Sequence, residues 1–306
     1  MANDYTNALT DLFVPEVWHA ELLTALDPLM VWTSGLVSNR DYTGDITGQG
    51  DICHINALVS PTVGSYNDTT GMSIEQLKTV EQDLPISEAD YVAFYVGDIE
   101  SVQVAGALSQ PASRRSIQEL AKSADTFMAG VAAAKATAST LDLSSVTASA
   151  DKGEALLDHL FDGMQQLDEH DISSDSRWAI VSPQAKRYLL RAAAVANASE
   201  FGQGGATANG VVARLAGFTI MSTTQMPSGV DLMVGQRDFL TFASQFQDFR
   251  VQPVEKFRRN QVDSLHVYGA KCVRYPGLDT VKSDNTFDES IASPGLIKTT
   301  VTWTTG

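Results

Sequence analysis

The stretch Gln110–Thr137 constrains the fold more than any other part of the chain. Ile117, Leu120, Ala121, Ala124, Phe127, Met128, Val131 and Ala132 recur at steps of three and four residues, which lines them along one face of a helix. Arg114, Arg115, Glu119, Lys122 and Asp125 fall mostly on the other face. Ser109 can cap the start, because its hydroxyl accepts from a free first-turn N–H. Pro111 lacks a donor that this turn leaves unpaired anyway. The result is a rod of about 42 Å, well over the mean helix length of globular proteins. Its apolar stripe is narrow and rich in alanine, which suits a helix laid along a sheet. β-rich pieces before and after it hang from this rod.

Residues 1–12 carry no apolar period and read as a loose arm. Val17, Leu22 and Leu23 fit a short helix opened by Pro15, and Leu29–Val37 is apolar and strand-like. This arm is too thin for a core of its own and must be buried against something else. Asp41–Glu100 is punctuated by Gly44, Gly48, Gly50, Gly64 and Gly71. Short alternating runs lie between them at Asp51–Ile55, Thr62–Tyr66, Thr79–Leu84 and Asp90–Val96. Eleven acids, among them Asp68, Glu75, Glu81 and Asp83, stand in this segment against one lysine, Lys78. A two-stranded excursion of this length is marginal alone and needs an outside surface. A solvated hairpin insertion would share the pattern, but the size of the excursion favours an arm that reaches a neighbouring subunit.

After the long helix, Ala138–Ala150 reads as a Ser/Thr/Ala linker and a domain boundary. Asp151 with Glu154 resembles a capping pair for a second amphipathic helix through Leu156, Leu157, Leu160, Phe161, Met164 and Leu167. Trp178–Val181 is a buried strand, and Ser182-Pro183 opens a third helix. Phe201–Gly210 is a loop, and short strands follow at Gly217–Ser222 and Asp231–Gly235. Alternating helices and strands over Asp151–Gln247 describe an α/β unit. Phe249–Tyr275 reads as long strand structure bent at Pro253, and Thr299–Thr304 alternates like one more strand.

The formal net charge of −16 and a pI of about 4.6 argue against nucleic-acid binding. No apolar run is long enough for a membrane span, and no charged-then-apolar leader is present. Cys53 and Cys272, far apart in such a chain, read as reduced and buried in a protein that folds in a cytoplasm. The chain shows no catalytic, cofactor-binding or metal-binding set. Gly202–Gly210 lacks the Lys-Ser/Thr of a phosphate loop. His159, Asp168, Glu169 and His170 match no common metal spacing.

Three sets of stretches resemble the major capsid proteins of tailed bacteriophages, the Hong Kong 97 fold also used by encapsulin shells. They are Phe13–Trp18 with Asn39–Ile46 and Gly50–Ile55; Asp90–Gln103 leading into the long helix; and Trp178–Pro183, Ala216–Ile220, Gly235–Ala243 and Val267–Pro276. The resemblance implies an α+β chain with an N-terminal arm (1–40), an extended β-hairpin loop (41–100) and a peripheral domain with a spine helix and linker (101–150). An axial α/β domain (151–247) and peripheral return strands with a C-terminal tail (248–306) follow. It further implies a structural protein without cofactor, assembling with itself into pentamers and hexamers of an icosahedral head. That head encloses double-stranded DNA without binding it specifically. A portal, a separate scaffolding protein and a decoration or minor capsid protein would be its partners, the virion its place, and the bacterial cytoplasm its site of assembly. The alternatives are an encapsulin-type shell housing a cargo enzyme and an atypical α/β enzyme. Because the chain begins at the arm, a separate scaffolding protein or a missing leader is expected. Lys78 is the only loop lysine that could form an isopeptide crosslink, and no partner for it stands out, so no crosslinking is expected. In this fold the loop of one subunit lies across the next. The acids Asp68, Glu75, Glu81 and Asp83 are therefore expected to face the basic cluster Arg250, Lys256, Arg258 and Arg259 of a neighbour.

Overall fold

The computed structural model describes residues 30–43, 52–59, 61–69, 71–72, 74–97, 109–192, 211–215, 217–253, 259–277, 281–282 and 286–303. The helix expected at 15–23, the loop at 201–210, and the residues Lys256 and Arg258 lie outside this set. Among the described residues no helix is long and apolar enough to cross a membrane.

The rod is helix α1, Ser109–Lys135. Leu120, Ala121, Ala124, Met128 and Ala132 are buried, with Phe127 and Val131 packed against the same core. Its partner is a three-stranded antiparallel sheet in the order β3-β10-β9, made of β3 (Glu88–Gly97), β9 (Leu240–Pro253) and β10 (Arg259–Cys272). Alanine at the contact lets the helix lie close along β10 and β3.

A second, mixed sheet has six strands. They are β4 (Ala136–Leu143), β5 (Arg177–Val181), β6 (Val211–Leu215), β7 (Phe218–Ser222), β8 (Leu232–Gln236) and β11 (Ser293–Trp303). Their order is β4-β11-β8-β5-β7-β6. Helix α2 (Ser149–Glu169) packs on β4, β8 and β11, and the short α3 (Pro183–Leu189) packs on α2 and β5. Ser182 caps α3 by accepting from the Ala185 N–H. All of β5 and β8 is buried, as expected of central strands.

Three readings need correction. The hairpin excursion ends at Pro85, because Glu88–Gly97 pairs along its length with β10 as an edge strand. The Ser/Thr/Ala linker begins with a strand, β4, whose small residues alternate between half-buried and exposed beside β11. Val31–Ser38 forms turns rather than a strand, with Val37 and Ser38 donating to the Ser34 carbonyl.

Between α1 and the three-stranded sheet lies a polar knot. The Tyr268 hydroxyl donates to Asp90 at 2.6 Å and lies 3.5 Å from the Ser123 hydroxyl, and the Tyr268 ring meets His266 at 4.8 Å. Burial lowers the pKa of His266 to about 4, against the pull of Asp90 and with a push from Arg40. An unfolded chain would bind that proton near 6.5. The native state therefore holds its full advantage above pH 6.5 and loses it as pH falls towards 4. The loss should reach about 3 kcal/mol. Thermal melts of unassembled subunits from pH 7 to 4 should show this slope, and His266→Leu should flatten it. An unchanged slope would remove His266 as its source.

Candidate inter-subunit surfaces

The hairpin is built from β1 (Ile52–Leu58) and β2 (Thr79–Pro85), paired antiparallel with Cys53 opposite Leu84 and His54 opposite Asp83. The period of two splits its side chains. Cys53, Ile55 and Leu84 point inward and, with Ile86, join Ala243, Val267 and Val273 in a small core on the three-stranded sheet. Gln82, on the same face, is buried and clasps one residue twice. Its amide donates to the Arg274 carbonyl and accepts from the Arg274 N–H, both at 2.8 Å. The base of the hairpin is thus anchored by packing and by a strand-like pair of hydrogen bonds.

The outward face carries His54, Glu81 and Asp83, all exposed. His54 Nδ1 lies 2.7 Å from Glu81 and 2.9 Å from Asp83. Their ligand atoms lie within 4.8 Å of one another, close enough to share a divalent ion, although the imidazole already bridges both carboxylates. Farther out, Glu75 accepts from the Thr62 N–H at 2.9 Å, tying together the two limbs of the loop, and Asp68 lies 3.3 Å from the Tyr66 hydroxyl. Each of the four expected acids therefore has a neighbour within its own loop. Arg250 and Arg259 sit at the far ends of β9 and β10. Ten residues of strand, roughly 33 Å, separate Arg259 from Gly269 at the hairpin base. Along the sheet, Arg259 thus lies far from the hairpin base that carries Glu81 and Asp83. The residues His159, Asp168, Glu169 and His170 do not converge either. Asp168 pairs with the buried Arg177 at 2.7 Å, whereas His159 turns to Thr299 at 3.0 Å.

Charge was the feature legible in this loop, and its apolar tip was missed. Val63 is 97 % and Ile74 96 % exposed, with Tyr66, Met72 and Leu77 exposed beside them. Five large apolar side chains exposed on one loop, with none of the described residues covering them, call for an external surface. Their irregular spacing hid them from any test of periodicity, although their density between two strands was a usable signal.

The second missed residue is Asp125. The helical pattern puts it on the polar face, yet it is 2 % exposed. Its carboxylate accepts from the Val31 N–H at 2.7 Å and from the Thr33 N–H and hydroxyl, each at 3.1 Å. Trp32 then donates to the Gln225 carbonyl and meets Trp178 edge-on at 5.8 Å. The end of the arm is thereby stitched across α1 to the six-stranded sheet. Burial pushes the Asp125 carboxyl up, and the N–H donors from Val31 and Thr33 only partly oppose it. Its protonation thus favours the folded state, most fully below pH 3.8, and that gain is lost as pH rises through the folded pKa. Mild acid should therefore not loosen this stitch. Asp125→Ala orphans three donors and should cost about 3 kcal/mol. Earlier melting and proteolytic cleavage near residues 30–43 would report it, and parental protection would contradict it.

The phage capsid protein family matches the chain over residues 101–279. No curated protein matches it. Among solved structures the chain is similar to Mycobacterium phage Che8, at 21% identity and a TM-score of 0.65, covering 88% of this chain and 90% of that one. It is similar to the capsid of cyanophage P-SCSP1u, at 14% identity and a TM-score of 0.64, covering 88% and 87%. It is also similar to a virus-like particle from Pyrococcus furiosus, at 14% identity and a TM-score of 0.54, covering 93% and 98%. The fold is of the Hong Kong 97 type.

Proposed function

The chain belongs to the phage capsid protein family, and we propose that its copies assemble into pentamers and hexamers, the hairpin of one subunit lying across the peripheral sheet of the next. It is a major capsid protein, and the icosahedral head is where it acts. The apolar tip of the hairpin carries the proposed contact, because among the described residues nothing buries its side chains. In this reading α1 and the three-stranded sheet form the peripheral domain, and the six-stranded sheet, which takes β4 and β11 from outside the expected 151–247, belongs to the axial domain. A scaffolding protein, a portal and a decoration protein would complete the head, which assembles in the host cytoplasm. The net charge of −16 suits a shell that encloses DNA without binding it. Electron microscopy of the purified protein tests the assembly: closed shells support it, and small symmetric oligomers at every concentration would overturn it.

Part of the contact is electrostatic in this proposal, with the acids Asp68, Glu75, Glu81 and Asp83 facing Arg250, Lys256, Arg258 and Arg259 of the neighbour. Screening over about 8–10 Å makes such pairs matter chiefly for rate and salt dependence. Arg258→Glu with Arg259→Glu should leave the subunit folded and slow assembly, most at low salt. Equal assembly with the parent at low and high salt would refute that pairing.

A further inference from the structure

We infer that the groove between α1 and β3 is the seat for residues 74–78 of a second copy of this chain, an inference that rests on the proposed contact between loop and neighbour. The groove is about 540 Å³; Phe127, Gly130, Val131 and Ala134 line it from α1, and Glu88 and Asp90 line it from β3. Gly130 and Ala134 are exposed and too small to fill it, so its α1 side stays open, with the hydroxyls of Ser123 and Thr126 beside the apolar Phe127 and Val131. Glu88 accepts from the Ser87 hydroxyl and Asp90 from Tyr268, and among the described residues neither forms an ion pair with a lysine or arginine. The groove thus asks for an apolar segment that carries one cation.

The limb Ile74-Glu75-Gln76-Leu77-Lys78 has that character. Ile74 and Leu77 are exposed, and Lys78, the loop's one lysine, forms no ion pair among the described residues. Glu75 is held across the loop on the Thr62 N–H. The limb cannot reach its own groove. Lys78 lies seven residues up the paired hairpin from Pro85, roughly 23 Å out, whereas Glu88 begins three residues beyond Pro85. Only another subunit can supply it. Leu77 and Ile74 then cover Phe127 and Val131, and Lys78 meets Glu88 and Asp90.

Two measurements test this. Lys78→Glu and Glu88→Lys should each lower shell yield about tenfold, and the double reversal should restore most of it. Normal assembly of the single variants, or a double variant no better than either, would overturn the charge pairing. A photo-crosslinking phenylalanine analogue at Leu77 in assembled shells should attach to a neighbour's peptide containing 88–90 or 123–134. Attachment elsewhere on the neighbour would overturn this seat and leave the loop-to-neighbour contact standing. Attachment only within the same subunit would overturn both.

Discussion

Replacing Leu120 by aspartate should leave the subunit unfolded rather than weakly assembling. Leu120 is 4 % exposed, in the middle of the α1 stripe that faces the main core. A carboxylate there has no described cation to meet. It must stay charged in an apolar seat or take up a proton, and either costs several kcal/mol, a large share of a domain's margin of about 5–15 kcal/mol. The neighbouring Glu119 is exposed and pairs with Lys122, so Glu119→Ala is the matched control and should change stability by less than about 1 kcal/mol. Far-UV circular dichroism and the soluble fraction report the difference. Soluble, shell-forming Leu120→Asp protein would show that α1 is not the member on which both sheets depend.

Helix α1 was legible because periodicity is a property of one element and its buried face. What the pattern could not show depends on a second segment. Asp125 reads as a surface residue until the backbone N–H groups of Val31 and Thr33 arrive from about 90 positions away, turning a solvated carboxylate into a buried acceptor. The alternation in Asp90–Val96 gave the strand but not its partner. A hairpin strand and an edge strand of another sheet share the same period of two, and only the pairing with β10 distinguishes them. β4 was hidden by composition, since serine and threonine suit linkers and exposed edge strands alike. In the hairpin, the acids were countable from the sequence. That His54 collects two of them, and Thr62 holds a third, follows from a register the sequence does not state.

The register of the hairpin on its sheet leads to the second large effect. Gly269→Val should yield a folded subunit that fails to assemble. A Cβ at Gly269 would stand 2.2 Å from the Pro85 carbonyl oxygen and 3.0 Å from the Ile86 Cα. Both are backbone atoms at the base of the hairpin, so no rotamer change relieves the clash. The two extra methyls of valine worsen it, and overpacking of this kind costs about 1–3 kcal/mol. The subunit can survive that loss, because the main core is elsewhere. The hairpin base cannot stay where it is. Lifting it pulls Ile86 and Leu84 from Ala243 and Val267 and strains the Gln82 clasp on Arg274. A small tilt at Pro85 grows along a strand of seven residues, roughly 23 Å, into a displacement of several ångströms at the tip. Assembly should therefore drop far more than melting temperature, and Gly269→Ala should fall between parent and valine in both. If Gly269→Val melts like the parent and forms shells at the parental yield, the angle of the hairpin on its own sheet is not what presents the tip to the neighbour.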